Sequence, residues 1–331
     1  MDLKTHRISI VIPVYSAENY LEKLVSEIVP LTIKNVSDKG NYYQVHEVFL
    51  VNDCGFESSA SIIRKLESQF DFVKSIWLSN NFGQHAATIA GMSFSSGDWI
   101  VTLDEDGEHN PAAIPKFLDV AVTEKYQLVY ALPHKSSNHG VIRNCFSRLA
   151  KKITILLIGK SEFGNFQSYR FILGSIGRGV AAYSGNGVFL DVALSWFVQK
   201  TGTCESEFRV NAERQSSYTF KKLFSHFRSL VLSSGTRLLR IVAFLGFLLS
   251  FVGFSAAGFL VYMKLVNGQT PQGWPSIMVS LLLIGGIILF CIGVISEYLG
   301  EVVNAAIGKP LYLVVNDPDS GPLGNKFVNN E

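Results

Sequence analysis

The sequence predicts an α/β domain built on a mostly parallel sheet, followed by amphipathic helices at a membrane surface and two membrane-spanning helices. Three observations predict it. Apolar runs of strand length alternate with helical patterns through residues 8–104. Two uncharged apolar stretches, 241–263 and 277–295, lie near the C-terminus. The chain of 331 residues is 48% hydrophobic and 17% charged, too apolar for an ordinary soluble enzyme, and the excess sits after residue 240.

In chain order, "ISIVIPVY" (Ile8–Tyr15) is a continuous apolar run of strand length, and a helical pattern runs from about Asn19 to Val29. "VHEVFLVND" (45–53) predicts a second strand, "SASIIRKLESQF" (59–70) a helix and "VKSIWLS" (73–79) a third strand. "QHAATIAGMSFSS" (84–96) predicts a helix rich in small residues, and "DWIVTLD" (98–104) a fourth strand. Strands this apolar, separated by helices, belong to a parallel sheet covered on both faces. Such sheets bind ligands at the carboxyl ends of their strands. Pro13, Tyr15, Asp53, Asn80, Asn81, Asp104 and Asp106 all sit there. No Gly-x-Gly-x-x-Gly follows the first strand and no P-loop is present, which disfavours a dinucleotide site.

The domain is expected over 1–218. "YTFKKLFSHFRSLVLSSGTRLLR" interleaves aromatics and leucines with Lys and Arg, so 219–240 reads as interfacial helices. Residues 241–263 and 277–295 each hold about the 20 apolar residues a bilayer core requires. A polar loop, 264–276, joins them, and 296–331 forms a C-terminal segment. Lys221, Lys222, Arg228, Arg237 and Arg240 precede the first span, whereas the loop carries only Lys264. Positive charge stays inside, so the domain and both termini are expected in the cytoplasm. The first residues lack the apolar core of a signal peptide. Cys54, Cys145, Cys204 and Cys291 show no metal-ligand spacing and suit free thiols in a reducing compartment. The net charge of +2, without a basic-aromatic patch, gives no sign of nucleic-acid binding.

The fourth strand raises a chemical question, because "IVTLDEDGEHNP" runs from a buried strand into Asp104, Glu105, Asp106 and Glu108. Carboxylates packed that closely repel and raise each other's pKa unless a cation sits among them. Asp104 and Asp106, two apart, can both approach one divalent ion through the turn at Gly107. A solvated turn, or acids ahead of the helix in "PAAIPKFL", is the alternative.

"VIPVYSAENY", "VFLVNDCG", "NNFGQHAATIAGMSFSSGDWIVTLDEDGEHNP" and the two apolar stretches together resemble the family 2 (GT-A) glycosyltransferases. Within them, the chain is similar to the polyprenyl-phosphate glycosyltransferases, the group that holds dolichyl-phosphate mannose synthase and the undecaprenyl-phosphate glucose and aminoarabinose transferases. The resemblance covers about 1–315. It implies a GT-A fold, a nucleotide-sugar donor, a polyprenyl-phosphate acceptor, Mg²⁺ or Mn²⁺, a bacterial inner-membrane location and a homo-oligomer, a tetramer included. It implies that Asp106 is the direct metal ligand, with Asp104 near the ribose or diphosphate and Glu105 turned elsewhere. Pro13, Tyr15, Glu18 and Asp53 would surround the nucleoside. A carboxylate at Asp53 can accept from the uracil N3–H, which favours a uridine nucleotide; otherwise Asp53 caps the next helix. Arg214 would clamp the diphosphate.

The resemblance also implies that Arg143, Ser147 and Arg148, in "GVIRNCFSRLAKKITILLIG", hold the acceptor phosphate. A solvated basic face drawn to anionic lipid is the alternative there. Relatives often carry Gly-Asp/Ser-Phe-Arg after this helix, where "FGNFQSYRF" presents Asn165 and Gln167. Asn52 replaces an acid beside Asp53, and Ser217 replaces a Lys after Arg214. Two other functions stay open. "QSYRF" echoes the Gln-x-x-Arg-Trp signature of processive polysaccharide synthases, and the departures fit a non-catalytic membrane scaffold with a degenerate transferase domain.

Overall fold

The computed structural model describes residues 4–16, 20–133, 166–185, 188–209, 237–267 and 273–321. Glu18, Arg143, Ser147, Arg148, Arg214, Asn165 and most of the expected interfacial segment lie outside the described residues.

The first elements follow the expected alternation to within a few residues. They are β1 (His6–Val14), α1 (Leu21–Ile28), β2 (Asn35–Val36), β3 (Tyr42–Asn52), α2 (Glu57–Gln69), β4 (Val73–Leu78), α3 (Gln84–Phe94) and β5 (Trp99–Thr102). Then come α4 (Ile114–Glu124), β6 (Leu128–Pro133), β7 (Arg170–Leu173), α5 (Gly174–Tyr183), α6 (Leu190–Phe197) and β8 (Thr201–Ser206). The chain continues with α7 (Arg237–Asn267), α8 (Trp274–Ala306) and β9 (Val314–Val315).

The sheet runs β8-β6-β7-β5-β1-β3-β4-β9, with β2 on β3. Its centre is parallel as expected: β1 pairs with β3 and β5, and β3 with β4. The flank is mixed, because β7 runs antiparallel between β5 and β6. Period 2 explains why a central strand looks continuously apolar. Ile8, Ile10, Ile12 and Val14 of β1 join the core beneath α1, α2 and α4, while Val11 joins the other core beneath α3, α5 and α6. Each such side chain, fully buried, contributes roughly 1.5–3 kcal/mol of transfer free energy.

Two long helices occupy the expected apolar stretches. Phe244, Phe247 and Phe251 on α7, and Leu281, Leu289 and Phe290 on α8, are all exposed. Among the described residues one stretch, Ile284–Ala306, is long and apolar enough to cross a membrane, with a mean hydropathy of 1.8 and none of it buried. Val242–Gly253 of α7 is a shorter apolar stretch. α8 runs past the expected end at Ile295, since nothing in "SEYLGEVVNAA" breaks a helix. It stops where Gly308 takes φ 68°, the left-handed conformation glycine adopts without steric cost, and Lys309 N–H closes back on Asn304 O at 3.1 Å.

The chain beyond α8 returns to the domain. β9 pairs antiparallel with the β4 edge. Arg64 of α2 then holds the tail, with Nε 2.9 Å and Nη2 2.8 Å from the Asp317 carboxylate and Nη1 2.7 Å from Asp319.

Candidate active site

Parallel pairing brings the carboxyl ends of β1, β3, β4 and β5 to one edge. Leu103 keeps β5 in register, its N–H donating to Val11 O at 3.0 Å, and the acidic loop begins at the next residue. Asp104 is gripped from two sides. Oδ1 accepts from Gln84 Nε2 at 2.5 Å, and Oδ2 from Ser168 Oγ at 2.5 Å. Its N–H donates to His109 Nδ1 at 3.0 Å, so that nitrogen is an acceptor. His109 is buried; burial pushes its pKa down, against the pull of Asp104 and Asp106. Gly107 (φ 70°) turns the chain through a conformation L side chains avoid, and Asp106 Oδ1 accepts from Glu108 N–H at 3.1 Å.

Glu105 points the other way. It accepts from the N–H groups of Tyr15 at 2.8 Å and Ser16 at 3.1 Å, tying the acidic loop to the end of β1. Pro13 is buried in β1, whereas Tyr15 is exposed with its ring 5.5 Å from that of Phe56. Asp53 is 4% exposed, and its two oxygens accept from Phe82 N–H at 2.7 Å and Gly83 N–H at 2.8 Å. Burial pushes its pKa up to about 6, against those two hydrogen bonds. The carboxylate thus fixes the loop entering α3, whereas the next helix in the chain, α2, has no side-chain cap. A carboxylate has about four lone-pair sites, so two remain. Asn52 completes the turn, its Oδ1 accepting from Gly55 N–H at 2.8 Å.

The far wall is built by segments flanking β7 and β8. His109 bridges to Phe208, Arg209 N–H donates to Glu108 O at 3.0 Å, and the Arg209 guanidinium pairs with Glu27 at 2.7 Å. Behind Ser168 lies a buried network. Arg170 grips Asp191 with Nε at 2.6 Å and Nη2 at 2.7 Å, and Tyr130 OH adds a bond of 2.9 Å. Arg170 Nη1 also donates to Ser168 O at 3.0 Å. Of the departures read from the sequence, Asn165 lies outside the described residues, and Gln167 stands just before Ser168, whose hydroxyl meets Asp104. Arg170 and Phe171 are buried within β7, so the "QSYRF" echo presents no free Arg to an acceptor.

Gln84, His109, Ser168 and the Arg170–Asp191–Tyr130 network escaped the sequence reading. Their only signal was position: Gln84 opens a helix at a strand end, and Ser168 stands two before an Arg inside an apolar run. Asp106 with Asp104 could hold a divalent cation. Among the described residues no group of three or more His, Cys, Asp or Glu side chains forms a cage. Two hard carboxylates at a turn, with sphere left for water and phosphate oxygens, suit Mg²⁺ or Mn²⁺ rather than a structural ion.

Residues 9–175 match the profile of glycosyl transferase family 2. The glycosyltransferase YkcC of Bacillus subtilis is 30% identical over 92% of this chain and 92% of its own length. The undecaprenyl-phosphate 4-deoxy-4-formamido-L-arabinose transferase of Edwardsiella ictaluri is 27% identical over 95% of each chain. The bactoprenol glucosyl transferase of Shigella phage SfV is 27% identical over 94% of this chain and 99% of its own. A solved glucosyl-3-phosphoglycerate synthase from Mycobacterium tuberculosis covers 70% of this chain and 79% of its own at 18% identity and a TM-score of 0.48. A mostly parallel α/β sheet with paired carboxylates at the carboxyl edge of its strands, matched by a family profile over half the chain, leaves one assignment: this protein is an enzyme of glycosyl transferase family 2.

Proposed function

We propose that the protein transfers one sugar from a uridine-diphosphate donor to undecaprenyl phosphate with inversion at the anomeric carbon. The observation that carries this reading is the Asp104–Asp106 pair at the end of β5, with Asp104 held by Gln84 and Ser168 and joined through Glu105 to the Tyr15 loop. The exposed Tyr15–Phe56 pair offers an aromatic surface for a base. Pro13, Glu18 and Asp53 complete the nucleoside side, and Arg214 the diphosphate. Arg143, Ser147 and Arg148 receive the acceptor phosphate.

A lipid-phosphate oxygen attacks the anomeric carbon, a new C–O bond forms as the bond to the diphosphate breaks, and UDP leaves. The acceptor is already anionic near neutral pH, so no strong base is required. Bound Mg²⁺ or Mn²⁺ supplies Lewis-acid stabilisation of the charge that grows on the departing diphosphate. Asp106 would hold the ion, with Asp104 as the second carboxylate beside it. The product is a lipid-phosphate-sugar for cell-envelope glycan modification, including lipopolysaccharide.

The same reading places both long helices across the inner membrane, with the catalytic domain and both termini in the cytoplasm. The returning tail supports it: a chain that enters α7 from the domain and pairs β9 with β4 must cross an even number of times. Gly285 and Gly286 of α8 have open space over their Cα atoms and can take a second helix closely in a homo-oligomer such as a tetramer.

Mass spectrometry of the full-length protein in detergent, with undecaprenyl phosphate, Mg²⁺ or Mn²⁺ and a panel of UDP-sugars, tests the reading. One lipid-phosphate-sugar species that disappears with EDTA is the expected result. Long polymer would indicate a processive synthase, and no product together with no UDP binding would indicate a scaffold.

A further inference from the structure

Both oxygens of Asp104 are met by side-chain donors from other elements, and the two donors differ in how firmly they are held. Gln84 sits on the exposed first position of α3. Ser168 lies one residue before the chain is clamped on both sides. Its carbonyl accepts from Thr102 Oγ1 at 2.5 Å and from Arg170 Nη1 at 3.0 Å, and Thr102 and Arg170 are 2% and 4% exposed. Arg170 is in turn fixed by two bonds to Asp191, which Tyr130 OH also meets, and both partners are buried. One hydroxyl thus leaves a rigid buried network and ends on the metal-loop carboxylate.

We propose that Ser168 is a positioning residue for Asp104. Through the buried Arg170–Asp191 pair, it fixes which lone pairs of Asp104 face the divalent cation and the donor diphosphate. This rests on the metal-dependent reading above. The hydroxyl is a neutral donor, so it orients the carboxylate without neutralising it, whereas a Lys or Arg in its place would compete with the ion for the same charge. Outer partners of this kind typically govern metal affinity by about ten- to a hundredfold.

The test uses the full-length protein in detergent and its S168A, S168T and Q84A variants. Free Mn²⁺ is followed by electron paramagnetic resonance in the presence of UDP, beside the melting temperature of each variant. The expected result is at least about a tenfold weakening of Mn²⁺ binding in S168A, near-wild-type binding in S168T and a smaller loss in Q84A. Turnover should follow, with S168A rescued by raised Mn²⁺ and its melting temperature close to wild type. Wild-type protein that binds Mn²⁺ alongside a folded S168A that binds it equally well overturns the positioning role alone. An S168T variant as impaired as S168A also overturns it, because the hydroxyl would then not be the cause. A folded wild type that binds UDP but no Mn²⁺ overturns the metal reading, and this inference with it.

Discussion

Strand β3 carries one buried carboxylate and is followed by another, and the two have opposite fates. Midway along β3, where its pairing with β4 begins, Glu47 is 2% exposed and accepts from Ser9 Oγ at 2.6 Å, Ser96 N–H at 2.7 Å and Lys74 Nζ at 3.0 Å. Burial works to raise its pKa, but those hydrogen bonds outweigh it and bring it down to about 2. Just past the carboxyl end of β3, Asp53 meets two amides, and burial pushes it up to about 6. Asp104, on the same edge, likewise takes its side-chain bonds from the neutral groups of Gln84 and Ser168. At the amino edge of the sheet the protein supplies its own cation. At the carboxyl edge these carboxylates are oriented with neutral groups, which leaves their charge for a ligand to meet.

The hardest test of that contrast is Asp106→Asn. If the carboxyl edge keeps its charge for a divalent ion, turnover should fall on the order of a thousandfold with little change in melting temperature. Normal turnover in metal-containing buffer would break the comparison. Next is Arg170→Ala, which strips the cation from the buried Asp191 and should cost about 3–5 kcal/mol of stability, read by denaturant unfolding.

Glu47→Gln and Asp53→Asn sharpen the contrast through pH. Glu47 titrates lower when folded, so its stabilisation is complete above about pH 4.5 and is lost as pH falls toward 2. The wild type should therefore lose up to about 3 kcal/mol relative to Glu47→Gln across that window. Asp53 titrates higher when folded, so its contribution is greatest below about pH 4 and is lost as pH rises to about 6. The stability of wild type relative to Asp53→Asn should slope in the opposite sense across that higher window. Slopes of one sign for both pairs would mean the two carboxylates do not differ as described. The smallest effect belongs to Arg64→Ala, which releases the tail from α2. The Arg64 side chain is 19% exposed, and loss of its three acidic partners should cost about 1–2 kcal/mol and speed proteolysis beyond Lys309.

Much of the parallel half was legible because β1, β3, β4 and β5 are buried on both faces and read as apolar runs. The mixed flank was not. β7 carries Arg170 in its first position, which speaks against a strand until Asp191, twenty-one residues away in sequence, is seen to pair with it. β9 is two residues long and depends on the β4 edge for its existence. At the site, Asp104 and Asp106 announced themselves by charge crowding. Their supports could not, since a Gln and a Ser are common residues whose meaning is spatial. Asp53 was visible, but its bonds to the amides of Phe82 and Gly83 depend on a loop whose shape no local pattern specifies.

The tail strand also sets an order of events during synthesis. The outer edge of β4, with Trp77 and Leu78 opposite Val315 and Val314, gains its partner only after some 230 further residues have left the ribosome and both long helices have been made. Until then the newborn domain carries an open β-edge, a template for pairing with other chains. Catalytic-domain fragments ending before α7 would keep that edge permanently bare. The sheet is finished last, by the piece of chain that comes back from the helices.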